Sequence, residues 1–119
     1  MQISGVIHFN ADEMKRIERA LEYLHKKYPH QVSPEDLSEE VELDLRTLQA
    51  GFREKTGLTI HNYQFKKRIE KAMTELPNIE LSLKIIAHRN GFKNTSQFGK
   101  AFKKFTGQTP MQYRRQLLA

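Results

Sequence analysis

The chain has 119 residues, of which 38% are hydrophobic, and contains neither Trp nor Cys. This length is sufficient for one domain, or for two small lobes that share a helix, with a modest core of Leu, Ile and Phe. The absence of Cys excludes disulfides, thiolate zinc sites and cysteine nucleophiles. No apolar run of about 18 residues occurs and the N-terminus lacks a secretory signal, so we expect a cytoplasmic protein with no membrane partner.

The net charge of +6 is unevenly distributed along the chain. Residues 1–60 carry 8 Lys and Arg against 11 Asp and Glu, whereas residues 61–119 carry 12 against 3. The C-terminal half is therefore the half expected to face a polyanion such as nucleic acid. Charge alone does not identify the partner, because a basic end is common among bacterial proteins.

The first predicted elements are a loose lead-in, residues 1–11, and one amphipathic helix. Asn10 or Asp12 is positioned to cap this helix. Its apolar residues recur at helical spacing and predict a helix that ends before Pro29: Met14, Ile17, Leu21, Leu24 and Tyr28.

A short helix and a longer one are predicted next, joined by a turn. Ser33 followed by Pro34 is a strong start signal, and the helix it begins runs to about Val41. After a turn at residues 42–43, Asp44 can cap a helix over residues 45–56, with Leu45, Leu48 and Phe52 inward and Gly57 at its end. This order is the outline of a helix-turn-helix unit.

Thr59 can cap a long central helix over residues 60–76, which Pro77 terminates. Its apolar contacts come from Tyr63, Ile69, Met73 and Leu76, and its charge from Lys66, Lys67, Arg68 and Lys71. At ~1.5 Å per residue it is about 25 Å long, enough to hold two flanking units about one DNA turn, ~34 Å, apart.

The helix-turn-helix outline then repeats. Ser82 caps a helix over residues 83–89, Gly91 makes the turn with Phe92 beneath it, and Asn94 or Thr95 starts the next helix. Phe98, Phe102 and Phe105 form the buried stripe of that helix, and Thr109-Pro110 begins a last helix with Tyr113 and Leu117. The prediction is an all-α chain of about seven helices.

The repeat is visible in the letters themselves. LQAGFREKTGLT at residues 48–59 reappears as FGKAFKKFTGQT at residues 98–109, and Tyr63 has its counterpart in Tyr113. Two similar helices in one small basic chain can address two places on a repeating polymer, and duplex DNA is the commonest such polymer.

Two segments closely resemble the signature of the AraC/XylS transcription regulators: IAHRNGF at residues 86–92 and SQFGKAFKKFTGQTPMQYR at residues 96–114. The resemblance covers roughly residues 12–117. It implies two helix-turn-helix subdomains, residues 12–58 and 78–119, joined by a linker helix over residues 59–77. It also implies that each second helix enters one of two adjacent major grooves of double-stranded promoter DNA. RNA polymerase and an effector-binding domain outside this chain are further partners that the resemblance allows.

The polar faces of the two second helices supply the candidate DNA contacts. Arg46 and Gln49 can form bidentate bonds to guanine or adenine edges, while Arg53 lies later and is better placed for phosphate. The full predicted set is Arg46, Thr47, Gln49, Arg53, Ser96, Gln97, Lys100, Lys103 and Lys104. For each of them the competing interpretation is an ordinary solvated surface residue.

The sequence departs from the family pattern in several places. Ala50 stands where an arginine is frequent, and the second unit has Lys100 there; Glu42 stands where a turn glycine is frequent. Gly51 and Gly99 each weaken a helix unless close packing uses them.

Six acidic residues lie between residues 35 and 44, so we expect the second unit to supply most of the electrostatic affinity. The alternative function is a helical protein-interaction adaptor that uses this acidic strip.

Catalysis, a cofactor and a metal site are not expected. The five histidines are scattered over separate elements without metal-ligand spacing, and no glycine-rich phosphate loop follows a strand. Residues before Met14 are too few to form an effector-binding domain, so the chain is a stand-alone regulator or the DNA-binding end of a longer one. Its abrupt start favours the second interpretation.

Overall fold

The computed structural model describes residues 8–118, and this part of the chain contains seven α-helices and no strand. The prediction of an all-α fold is thereby confirmed. Residues 1–7, which belong to the predicted lead-in, lie outside the described part. The helices are α1 Ala11–Lys27, α2 Pro34–Val41, α3 Leu45–Thr56, α4 Ile60–Glu75, α5 Leu83–Arg89, α6 Thr95–Thr106 and α7 Pro110–Leu118.

The chain divides into two compact units, and the boundary falls inside α4, after Tyr63. The first unit contains α1, α2, α3 and the first turn of α4. The second contains the rest of α4, α5, α6 and α7, together with residues 28–31 from the loop that follows α1. The division into two subdomains and a separate linker helix, residues 59–77, stays a prediction.

The core of the first unit joins the apolar faces of its three helices. Leu37 of α2 and Leu48 and Phe52 of α3 are fully buried, and Ala20 of α1 meets the same cluster. The ring of Phe52 packs edge-on against Tyr63, with 5.0 Å between ring centroids. These residues recur at helical spacing, so each helix buries one stripe and leaves the other side to solvent.

An aromatic chain forms much of the second core. Ring centroids are 5.2 Å apart for Phe92 and Phe98, 5.7 Å for Phe98 and Phe102, and 5.5 Å for Phe102 and Tyr113. Edge-to-face and tilted arrangements at these distances are favourable for aromatic pairs. Ile86 of α5 is fully buried in the same cluster. Phe92 thus fills the space beneath the turn, as predicted, and Tyr113 anchors α7 to this core.

The two repeated sequence segments form equivalent joints between consecutive helices. The Thr56 hydroxyl donates to the carbonyl of Phe52 at 2.8 Å, and the Thr106 hydroxyl donates to the carbonyl of Phe102 at 2.8 Å. Thr59 then caps α4 by accepting the backbone N–H of Asn62 at 3.1 Å. Thr109 caps α7 through Gln112 at the same distance. Each joint therefore ends one helix and starts the next through local hydrogen bonds.

The structure corrects two details of the apolar face predicted for α1. Met14 is 52% exposed because it borders an open groove at the start of the helix. Tyr28 lies in the turn beyond α1 and belongs to the second unit, so it does not extend the buried stripe of α1. The capping residue of α1 is Asn10, which accepts the backbone N–H of Glu13 at 2.7 Å.

Candidate nucleic-acid interface

The outward face of α3 brings together three of the predicted contact residues. α3 begins where it does because the Asp44 carboxylate accepts the backbone N–H of Thr47 at 3.0 Å. Leu48 and Phe52 are fully buried, so the opposite side of the helix faces solvent. That side carries exposed Arg46, Gln49 and Arg53.

A tight turn sets the position of α3 relative to α2. Glu42 adopts the left-handed conformation, with φ of 54°, and the N–H of Leu43 donates to the carbonyl of Ser38 at 3.2 Å. The guanidinium of Arg16 donates to the carbonyl of Val41 at 2.9 Å and to that of Glu42 at 3.1 Å. These bonds satisfy carbonyl groups that the end of α2 leaves without helical partners.

The outward face of α6 is organised in the same way. The side chain of Asn94 accepts the backbone N–H of Gln97 at 2.8 Å and so starts the helix. Phe98 and Phe102 are fully buried on the inner side. The exposed side chains are those of Ser96, Lys100, Lys103 and Lys104.

The turn before α6 has the same hydrogen-bond pattern as the turn before α3. Gly91 is left-handed, with φ of 83°, and the N–H of Phe92 donates to the carbonyl of Ala87 at 3.0 Å. The adjacent Asn90 is 1% exposed and donates its side-chain N–H to Glu75 Oε1 at 2.6 Å. Gly91 therefore takes here the conformation that Glu42 adopts in the first unit.

Residues from the loop after α1 complete this turn of the second unit. The Tyr28 hydroxyl donates to the side-chain oxygen of Asn90, and burial raises the pKa of Tyr28 to about 12. Arg68 Nη2 donates to the carbonyl of Pro29 at 2.7 Å, and its Nη1 donates to the carbonyl of Gly91 at 3.2 Å. Nothing local in the sequence indicates these contacts, because they join residues 23 to 62 positions apart.

Two arginines of the basic half are structural. Arg68, expected with its neighbours to supply surface charge, is only 6% exposed, and burial lowers the pKa of its guanidinium. Its lack of exposure follows from its hydrogen bonds to carbonyls and from the rings of Phe65 and Phe92 beside it. Arg114 is 9% exposed and also donates to backbone carbonyls. Neither side chain is available to a phosphate group.

Thr47 and Gln97 differ from the other predicted contact residues because each belongs to a helix cap. Both are half-buried and occupy the third position of their helix. The side-chain oxygen of Gln97 accepts the backbone N–H of Lys93 at 2.7 Å, which leaves its amide nitrogen as the outward group. A sequence signal for this role was available, since Asn94 stands three residues before Gln97 as in a capping box.

The two units differ in the charge near their outward helices. α2 carries four exposed acidic residues and no basic one: Glu35, Asp36, Glu39 and Glu40. α6 carries three exposed lysines and no acidic residue. The backbone hydrogen bond from Thr47 lowers the pKa of Asp44, which keeps this carboxylate ionised beside α3. The face of the second unit is therefore the more basic.

Within residues 8–118, no group of three or more His, Asp or Glu side chains could hold a metal ion. Within the same range, no helix has both the length and the apolar character needed to cross a membrane.

Two helix-turn-helix units, each with a polar outward second helix, place this chain in the class of tandem helix-turn-helix domains. A family model described as a helix-turn-helix domain matches residues 37–116. The chain belongs to the AraC-type family of helix-turn-helix transcription regulators, which confirms the resemblance seen in the sequence. This family consists of transcription regulators, not of enzymes.

Solved structures and curated relatives agree with this assignment. The C-terminal domain of AraT, a response regulator from Geobacillus stearothermophilus, is 30% identical, with a TM-score of 0.77 over 85% of this chain and 84% of that one. The DNA-binding domain of AdpA, solved in complex with a target DNA, has the same fold, with 22% identity and a TM-score of 0.76 over 84% of this chain and 90% of that one. The transcriptional activator RhaS of Pectobacterium atrosepticum is 30% identical over 90% of this chain.

The curated relatives are much longer than the matched region. The chain spans 38% of the length of RhaS and 13% of an uncharacterized helix-turn-helix regulator of Staphylococcus aureus, to which it is 32% identical over 83% of its own length. The match therefore concerns one part of those proteins.

Proposed function

We propose that this chain binds double-stranded promoter DNA and regulates transcription, with α3 and α6 each lying in one of two adjacent major grooves. The observation that carries the proposal is the duplication of one geometry. In both units an equivalent turn presents the second helix with its apolar side buried and its polar side exposed. An α-helix presented in this way fits the width of the major groove.

The side chains of α3 are suited to reading bases. Arg46 and Gln49 are exposed and lie one turn apart on the same face. Each can form two hydrogen bonds to the edge of one base, guanine for Arg46 and adenine for Gln49. Arg53 lies two turns after Arg46 and is assigned to a phosphate group. Thr47 stabilises the start of the helix and contacts the DNA backbone beside it.

The side chains of α6 are suited mainly to phosphate and to hydrogen-bond acceptors. Lys100 is assigned to the groove, and Lys103 and Lys104 to phosphate groups along its edge. Ser96 can donate or accept a hydrogen bond. Because the oxygen of Gln97 accepts the N–H of Lys93, its outward amide nitrogen is a donor, which suits a base acceptor or a phosphate oxygen.

The two units are proposed to contribute unequally. The second unit supplies most of the electrostatic affinity through its lysines, while the exposed acidic residues of α2 oppose phosphate near the first unit. The first unit then acts chiefly in discrimination between sequences. The same proposal includes three further points. The chain binds DNA as a monomer in the cytoplasm, it contacts RNA polymerase, and it is controlled by an effector-binding domain elsewhere in a longer protein.

The test is selection of bound sequences from random duplex DNA, followed by titration of variants on the selected site. Lys100→Ala should weaken binding to every duplex, whereas Gln49→Ala or Arg46→Ala should relax preference at one end of the site. A lost bidentate base contact removes about 1–3 kcal/mol of discrimination. Ala50→Arg should strengthen binding, because it adds a cation to the face of α3.

The competing function is an adaptor that binds a basic protein through the acidic residues of α2. It predicts no enrichment of any duplex sequence in the selection. It also predicts that Ala50→Arg leaves DNA affinity unchanged and that Gln49→Ala alters neither affinity nor preference. That pair of results would remove the first unit from DNA reading and favour the adaptor.

A further inference from the structure

Each of the two outward helices contains a glycine in its interior, Gly51 in α3 and Gly99 in α6. Glycine is a poor helix former, because it loses more backbone freedom than any other residue when the helix forms. The atoms around each glycine show whether packing within the protein requires the absence of a side chain there.

Packing within the protein explains Gly51. It is buried, and a Cβ atom added there would lie 2.0 Å from Ile17 Cδ1 and 2.9 Å from Ile17 Cγ1. Distances this short are repulsive, so a larger residue at position 51 would displace the side chain of Ile17 from its place in the core. Gly51 thus permits the close approach of two helices in the first unit.

Nothing in the second unit explains Gly99 in the same way. A Cβ atom added to Gly99 would meet no heavy atom within 4 Å, and the residue lies in regular helix. Neither close packing nor an unusual backbone conformation requires glycine here. The internal repeat aligns Gly99 with Gln49, the exposed residue proposed to read a base.

Gly99 is half-buried and lies at the margin of the proposed DNA-contacting face of α6. Ser96 lies three residues before it and Lys103 four residues after it, so the three share one face of the helix. Both neighbours are exposed, as is Lys100. The position without a side chain is therefore flanked by groups that can bind a polyanion.

We infer that Gly99 is a positioning residue for DNA: it lets the main chain of α6 approach the base-pair edges more closely than any side chain would allow. This inference rests on the proposed function. The two units then read their grooves differently, α3 through the extended side chain of Gln49 and α6 through close approach of its backbone. The close approach in turn brings Ser96 and Lys103 within reach of the groove and its phosphates.

The experiment compares the wild type with Gly99→Ala and Gly99→Gln on a duplex selected by the wild type. Gly99→Ala should raise Tm by about 4 °C, because alanine favours the helix and meets no neighbouring atom. It should nevertheless weaken DNA binding at least tenfold, and Gly99→Gln should weaken it further. The slope of log affinity against log salt should become shallower by no more than about one unit, because an α6 held away from the groove loses at most the phosphate contact of Lys103.

Gly51→Ala is the matched control, since it adds the same methyl group to the equivalent helix. It should lower Tm through contact with Ile17, the opposite sign from Gly99→Ala. DNA affinity equal to or above that of the wild type in Gly99→Ala would overturn the inference and leave the proposed function standing. A lower Tm in Gly99→Ala would also overturn it, because a contact within the protein would then explain the glycine. A wild type that binds no duplex would overturn the proposed function, and this inference with it.

Discussion

The guanidinium of Arg114 donates from Nε to the main-chain carbonyl of Leu76, at 2.8 Å, and thereby closes the end of α4. Its Nη2 also donates to the carbonyls of Asn78 and Leu81, at 3.1 and 2.7 Å. One buried side chain from α7 thus fixes the whole connection between α4 and α5. Hydrogen bonds from a charged donor contribute about 1.5–3 kcal/mol each, and a carbonyl left buried without a partner is costly.

We therefore predict that Arg114→Ala lowers the free energy of unfolding by about 2–4 kcal/mol. Arg115→Ala is the matched control, because Arg115 is adjacent in sequence but exposed, and its substitution should change stability by less than about 0.5 kcal/mol. Urea denaturation of the three proteins measures both values. Equal stabilities for the two variants would show that the carbonyl contacts of Arg114 contribute little.

Glu42→Gly should stabilise the first unit. Glu42 is the one non-glycine residue of the described chain with a positive φ, 54°, and a side chain in this conformation costs roughly 1–2 kcal/mol. Glycine removes that strain but loses more entropy on folding, so the net gain should be about 0.5–1 kcal/mol. Thermal unfolding checks the change. A decrease in Tm would mean that the Glu42 side chain makes a favourable interaction that outweighs the strain.

Asp44 should make the stability of the first unit depend on pH in the acidic range. The hydrogen bond from the backbone of Thr47 lowers the pKa of Asp44 in the folded protein. Its contribution is therefore fully present above the pKa of an unfolded aspartate, about 3.9, and is lost as pH falls through the lower folded-state pKa. Asp44→Asn retains a capping oxygen that does not titrate.

The measurement is Tm of the wild type and of Asp44→Asn between pH 7 and pH 2. The wild type should be the more stable protein at neutral pH, and the difference should shrink as the pH falls below about 4. A difference that stays constant over the whole range would show that ionisation of Asp44 does not contribute to the cap.

The lysines at the end of α6 should control the salt dependence of DNA binding. If the protein neutralises about six phosphates, the slope of log affinity against log salt is near −5. Lys103→Ala or Lys104→Ala should make the slope shallower by up to about one unit with little change in preferred sequence. Lys15→Ala, at an exposed position of α1 outside the proposed contact set, is the control. Unchanged slopes in both α6 variants would remove these lysines from the phosphate-contacting set.

The sequence predicted those parts of the fold that depend on neighbouring residues. Ser33, Asp44, Thr59 and Ser82 cap the helices assigned to them, and Gly57 ends α3. Capping bonds span about three residues, so short sequence patterns contain nearly all the information they need. The residues on the outward faces could be predicted for the same reason, since helical spacing fixes which residues share one side of a helix.

The sequence patterns did not predict contacts between residues that are far apart in the chain. Arg68 follows two lysines and looks like part of a solvated charged run, yet its partner carbonyls belong to Pro29 and Gly91, 39 and 23 residues away. The hydrogen-bond partners of so long a side chain depend on tertiary packing rather than on the adjacent residues in the sequence. Likewise, the sequence shows Gly51 and Gly99 only as glycines inside the two second helices, and the position of Ile17 reveals that packing requires the first of them.

Guanine methylation protection on a selected site can show whether both α3 and α6 lie in the major groove of one DNA duplex, as we propose. Methylation occurs at guanine N7, which lies in the major groove. We expect two protected patches about one helical turn apart, ~10 base pairs. Gln49→Ala or Arg46→Ala should alter one patch, and Lys100→Ala should weaken both. A single protected patch that only the α6 variant alters, or protection that requires a dimer of the chain, would contradict the proposal.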